Sequence, residues 1–179
     1  MHKKYKLGVV VGRFQIFHNG HKYVVDKALE ECEKLIICIG SCNERWTKRN
    51  PLDYEQRKEA ILKVYSSEEF KDRLIFIPLV DIGAGDSEIW GNYVINTCEF
   101  VTGDIPEVYY SGTESDRNNW LKDKKIKIVN VSRNDINISA TEVRKMMIEE
   151  NDEYKKYIPE QEYYLASWIK YLDEKGYQE

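Results

Sequence analysis

The sequence is short of the residues that mark special protein classes. Four prolines and ten glycines in 179 residues exclude collagenous repeats and long Pro/Gly-rich linkers. No apolar run approaches the roughly 18 residues a membrane helix needs; the longest lie at Leu35 to Gly40 and Leu74 to Val80. The basic first residues lead into a short strand-like stretch and not into the apolar segment of a secretory leader. Positive charge is not in excess either. With 27 Lys and Arg against 31 Asp and Glu the net charge is −4, which argues against a protein that coats nucleic-acid phosphates and makes any anion site local. The four cysteines, at 32, 38, 42 and 98, form no Cys-x-x-Cys pair. A chain of this size needs no disulfides, so all four are read as reduced. Cys38 falls mid-strand and its spacing to Cys42 is wrong for zinc, so no protein metal site is expected. The default is a cytoplasmic protein with neither nucleic acid nor membrane as partner; assembly into a homo-oligomer stays open.

What is present is a globular composition, 42% hydrophobic and 12% aromatic against 32% charged. The length predicts one domain over residues 1–179, with a core at about 5–150 and helices at about 153–176. Leu7 to Val11 reads as a buried strand ended by Gly12, and Asn19 is the expected cap of a helix with Val25, Ala28, Leu29 and Cys32 on one face. Leu35 to Ile39 is a second strand, followed by a polar loop from Ser41 to Leu52, long enough to be functional. Asp53 and Gln56 make a capping box for the next helix. A third strand spans Leu74 to Val80, a helix Ile89 to Phe100, and two further strands Glu107 to Tyr110 and Ile126 to Val131. Ser139 and Glu142 form another capping box. The last helix is expected from about Pro159 to Gly176, with Leu165, Trp168, Ile169 and Leu172 along one face. Strands alternating with helices predict an α/β protein, a Rossmann-like doubly wound sheet of about five parallel strands covered on both faces, with a C-terminal helical extension. Ligands of such sheets bind beyond the carboxyl ends of the strands, where strand order reverses.

Two segments carry chemistry. Gly12-Arg13-Phe14-Gln15-Ile16-Phe17-His18-Asn19-Gly20-His21 joins the first strand to the first helix. Gly20 lets a ligand approach the backbone, and the free N–H groups and positive dipole end of the helix favour an anion. His18 and His21, two of the chain's three histidines, flank that glycine and can donate to the same phosphate. The second segment, Asn137 to Arg144, opens another helix, where Ser139 and Thr141 supply hydroxyls and Arg144 lies off the apolar stripe of Val143, Met146 and Met147. Taken by itself, this segment also reads as an ordinary capped helix.

Together the segments resemble the two signatures of the nucleotidyltransferases that share a His-x-Gly-His motif. Within that superfamily the sequence from Gly8 to about Met147 is similar to the archaeal-type nicotinamide-nucleotide adenylyltransferases. The likeness includes Ile39-Gly40-Ser41, Arg49-Asn50-Pro51, Glu55-Gln56-Arg57, Asp81-Ile82 with Trp90, and Tyr110-Ser111-Gly112. Class I aminoacyl-tRNA synthetases carry a related histidine motif but also a lysine loop that is missing from this short chain. The resemblance implies transfer of AMP from ATP to nicotinamide mononucleotide, giving NAD and pyrophosphate, with Mg2+ carried on the ATP phosphates. It implies that Arg13, His18, His21 and Arg144 act on the phosphates, and that Gly12, Phe14, Gln15, Gly20, Ser111, Gly112, Ser139 and Thr141 complete the ATP site. Gly40, Ser41, Arg49, Asp81, Ile82 and Trp90 would line the pyridine-nucleotide pocket, Trp90 stacking the ring unless it is a core aromatic of its helix. Ile16 stands where that family has proline, Ala84-Gly85-Asp86 lengthens the turn before Trp90, and Ser111 to Arg117 leaves the family pattern. The alternatives are another phosphate acceptor, such as phosphopantetheine, flavin mononucleotide or a phosphorylated alcohol, and a non-catalytic nucleotide-binding module.

Overall fold

The computed structural model describes residues 3–112, 120–122, 124–132, 136 and 138–178. Five strands, β1 (Tyr5–Gly12), β2 (Cys32–Ile39), β3 (Leu74–Pro78), β4 (Val108–Ser111) and β5 (Lys127–Asn130), pair in parallel in the order β3-β2-β1-β4-β5. Helices α1 (Asn19–Glu31), α2 (Tyr54–Val64) and α3 (Glu88–Thr102) connect the early strands, and α4 (Ala140–Ile148) and α5 (Leu165–Lys175) follow β5. This is the doubly wound α/β class that the alternation of strands and helices implies.

Period-two alternation on buried strands sorts their side chains into two cores. Val10 and Ile37 face α1 and α2, meeting Val25, Ala28 and Ile61. Leu7, Val9, Ile36 and Cys38 face the other way, onto Val94, Ile95 and Cys98 of α3. Pro78 is tolerated because β3 is an edge strand with no partner beyond it. A third apolar cluster joins Ile16 and Leu52 to Ile138, Val143, Met147, Leu165 and Ile169, so the loop after β1 is packed against the helical extension.

That extension departs from expectation. A helix running from Pro159 is replaced by two 3-10 turns, Asp152–Lys156 and Glu160–Glu162, with α5 beginning only at Leu165. Glu162 is buried in the second of these turns, and Tyr164, which precedes α5, offers no side-chain cap. Among the described residues no helix is long and apolar enough to cross a membrane. The chain leaves β1 toward β2 and later returns to β4 on the other side of β1, which opens a crevice at their carboxyl ends.

Candidate active site

The loop after β1 is held in an unusual backbone path. Phe14 has φ 49° and Ile16 φ 129°, values that side-chain-bearing residues seldom adopt and that surrounding structure must enforce. Ile16 is fully buried in the third cluster. Gln15 exchanges two hydrogen bonds with the main chain of Leu52, its Nε2 donating to the carbonyl and its Oε1 accepting from the N–H, both at 2.9 Å. Gln15, expected to meet ATP, thus has its carboxamide bonded to Leu52 while it also lines one of the clefts described below. Gly12 is required because a Cβ there would fall 2.9 Å from the Phe14 ring.

His18, not Asn19, caps α1. Its Nδ1 accepts the Gly20 N–H at 3.1 Å, so in the neutral ring the proton rests on Nε2. Asn19 is occupied elsewhere, its main-chain N–H donating to the Tyr157 carbonyl at 2.7 Å and its side chain to the Lys156 carbonyl at 3.1 Å. The His18 and His21 rings stack with centroids 3.8 Å apart, and the Phe14 ring stands edge-on to His21 at 5.0 Å. From α4, Ser139 and Glu142 close the expected capping box. Arg144 donates to the Gln15 carbonyl at 2.7 Å and to Thr141 Oγ1 at 3.4 Å.

Two adjoining clefts result. One, of about 260 Å³, is lined by Arg13, His18, His21, Ser139, Thr141 and Arg144, with Gln15 in its wall. The other, of about 200 Å³, is lined by Gly12, Gly20, Ser111 and Gly112 together with Val11, Val24, Val25, Tyr109 and Tyr110. Phe14 and His21 border both. All twelve positions expected at ATP line these two clefts, the first polar and cationic and the second more apolar.

The field at the polar end is positive. Burial lowers the Arg144 pKa, and the Arg13 charge lowers it further. Burial also lowers that of Arg13, with Arg49 adding to the effect and Asp81 and Glu44 opposing it. Arg57, which is buried, feels the same combination of burial and Arg13, partly offset by Cys42 and Asp53. Converging guanidinium groups that repel one another suit a polyphosphate. The resemblance quoted Arg57 without giving it a role. Its guanidinium donates to the carbonyls of Arg13 at 2.8 Å, Gly40 at 2.7 Å and Asp53 at 3.0 Å, tying together the loops after β1 and β2. Its position one turn after the Asp53 cap, on the face shared with buried Ala60 and Ile61, was the available signal.

The expected pyridine-nucleotide residues are less gathered. The Gly40 N–H donates to the Gly12 carbonyl at 2.9 Å, and Ser41 is buried at φ 52°. Arg49 and Asp81 both act electrostatically on Arg13, and Asn43 Oδ1 accepts the Asp81 N–H at 2.8 Å. Ile82 is exposed. Trp90 is half-buried against the α3 core beside Tyr93, ring centroids 5.5 Å apart, and neither it nor Ile82 lines the two clefts. Most of the divergent segment after Ser111, residues 113–119, lies outside the described residues.

A parallel sheet with imidazoles and arginines at its switch point is the frame of a nucleotidyltransferase, and the chain belongs to the cytidylyltransferase-like family, whose profile matches residues 9–146. Its relatives include the nicotinamide-nucleotide adenylyltransferase of Thermococcus kodakarensis, 31% identical over 80% of this chain and 73% of that one. That of Thermococcus onnurineus is 29% identical over 92% and 82%. Among solved structures, a bifunctional NMN adenylyltransferase/ADP ribose pyrophosphatase from Francisella tularensis, complexed with AMP and a manganese ion, superposes with a TM-score of 0.70 at 25% identity. The match covers 88% of this chain but 44% of that larger one.

Proposed function

We propose that the protein is a nicotinamide-nucleotide adenylyltransferase, which joins nicotinamide mononucleotide to ATP and releases NAD and pyrophosphate. The observation that carries this reading is the hydrogen bond from Arg144 to the Gln15 carbonyl, which sets the second signature against the first across one phosphate-sized cleft. The names of the archaeal relatives supply the acceptor.

The acceptor's phosphate has a second pKa of about 6 and is largely a dianion at neutral pH. One of its oxygens attacks the α-phosphorus of ATP. The new P–O bond forms as the bond from the α-phosphorus to the bridging oxygen breaks, and pyrophosphate leaves. No general base is needed, because the nucleophile is already deprotonated. The protein's work is to align two mutually repelling anions and to meet the charge gathering on the leaving oxygens. His18 Nε2–H, His21, Arg13 and Arg144 do this at the polyphosphate, while Gly12, Gly20, Ser111 and Gly112 let the adenosine lie close to backbone. Arg49 balances the acceptor's phosphate, and Asp81 and Trp90 meet its pyridine end. Among the described residues no group of three or more His, Cys, Asp or Glu side chains could hold a metal ion. The donor set at the cleft suits phosphate oxygens, so the magnesium ion enters with ATP as part of the substrate.

The test is incubation with ATP, magnesium and nicotinamide mononucleotide, with product mass spectrometry. NAD and pyrophosphate are expected. Product from a different phosphate acceptor alone would replace the acceptor, and the absence of pyrophosphate with every acceptor would reduce the protein to a nucleotide-binding module.

A further inference from the structure

The helical extension lies beyond residues 9–146, the part that matches the family, yet it reaches the loop between β2 and α2. The main-chain N–H of Gln178 donates to the Trp46 carbonyl at 2.8 Å. Trp168 Nε1 donates to the Pro51 carbonyl at 3.3 Å, and the Trp168 ring meets Trp46 edge-on with centroids 6.4 Å apart. Trp46 sits at φ 56°, which needs external support in an aromatic residue. Tyr177, half-buried, interacts electrostatically with Arg144. Tyr177 and Gln178 thus relate the segment after α5 to Arg144 and to the 41–52 loop.

That loop carries Arg49, whose charge acts against Arg13. Glu44 of the same loop and Asp81 act on Arg13 in the opposite sense. The ends of the loop are held by the Cys42 N–H on the Leu79 carbonyl at 2.9 Å, by Asn43 Oδ1 on the Asp81 N–H at 2.8 Å and by the Gln15 bonds to Leu52, while in its middle the Thr47 N–H donates to the Asn50 carbonyl at 3.2 Å and Asn50 Nδ2 to Glu44. Between those ends, Trp46 and Pro51 are held by the extension.

We propose that Trp168 and the segment after α5 brace the middle of the 41–52 loop and so fix where Arg49 meets the acceptor phosphate. Trp168 and Gln178 are positioning residues for acceptor binding, and the assignment of the acceptor side rests on the function proposed above.

Gln178→Pro removes the N–H donor at an exposed position, and Trp168→Phe keeps an aromatic ring but deletes the Nε1 donor. Each is to be compared with wild type by hydrogen–deuterium exchange and by steady-state kinetics. Exchange over residues 44–51 should quicken about fivefold, the equivalent of one ordinary hydrogen bond, while β1 stays protected. KM for nicotinamide mononucleotide should rise by a similar factor, with KM for ATP unchanged. Unaltered exchange in the loop would overturn the brace whatever the acceptor is. Loosened exchange with an unaltered acceptor KM, in protein that makes NAD, would overturn its role in acceptor binding. If the wild type makes no NAD, that failure belongs to the functional reading, and the exchange result alone decides the brace.

Discussion

The guanidinium of Arg144 donates to the main-chain carbonyl of Gln15 at 2.7 Å, across 129 residues of sequence. The same side chain reaches Thr141 Oγ1, so it both fixes the loop after β1 and faces the cleft. Arg144→Lys retains a positive charge but loses the planar fork that serves two acceptors at once. It should lower kcat on the order of 10- to 100-fold, a range set by one charge-assisted hydrogen bond, and weaken ATP less. Arg144→Ala should weaken both. Single-turnover rates at saturating ATP, with affinity from calorimetry, check this; wild-type behaviour in the alanine variant would leave the second signature as a plain helix cap.

His18 has two tasks that substitutions can separate. Its Nδ1 caps α1, and its Nε2–H is assigned to phosphate. Asparagine can supply a capping oxygen in place of Nδ1 but has no group where Nε2 lies. His18→Asn should therefore keep most of the thermal stability and lose kcat, whereas His18→Ala should lose kcat and about 1 kcal/mol of stability. Melting curves beside turnover numbers distinguish the tasks. His21→Ala, which touches no cap, should resemble His18→Asn.

Glu162 is fully buried, and neither carboxylate oxygen has a hydrogen-bond partner. Burial pushes its pKa up to about 8, against a smaller downward pull from the nearby Phe17 main chain and Lys63. In the unfolded chain the group ionises near 4.5, so between pH 4.5 and 8 the unfolded state has released a proton that the folded state keeps. This group's contribution to stability is thus greatest below pH 4.5 and declines as pH rises to about 8, by at most about 1.4 kcal/mol per pH unit. Glu162→Gln should remove that slope and melt higher than wild type at pH 8, the gap closing toward pH 5. Parallel melting curves across that range would contradict it.

Trp90 is packed on the α3 core, yet only half-buried. Trp90→Ala should raise KM for the pyridine nucleotide while ATP affinity holds, if the exposed face of the ring stacks the nicotinamide. A melting temperature lowered by many degrees with both KM values unchanged would make Trp90 a core residue only.

The strand–helix alternation and both capping boxes were legible because they depend on local pattern: an apolar run for each buried strand, and Asp53 with Gln56 or Ser139 with Glu142 at fixed spacing. The positions expected at ATP were named through resemblance, and they line two clefts that share Phe14 and His21. What the sequence hid is non-local. Nothing near Asn19 reveals that the Lys156 and Tyr157 carbonyls claim it, which leaves capping to His18. Nothing near Gln15 reveals Leu52, and the three carbonyls on Arg57 come from three different segments. The helix expected from Pro159 fails for a related reason. Buried contacts made by the 3-10 turns, unreadable from spacing alone, override the propensity to start early.

The like charges of Arg49, Arg57 and Arg144 that surround Arg13 have a consequence for the survival of the folded chain. On the function proposed above, a nucleotide meets Arg13 and Arg144 only when the two are assembled, so occupancy and folding share one equilibrium. Above the dissociation constant, each tenfold rise in free ATP adds about 1.4 kcal/mol to the folded state. On that reading the substrate acts as the chain's own chaperone: heat and proteases should take the protein more slowly where nucleotide is plentiful than where it is depleted.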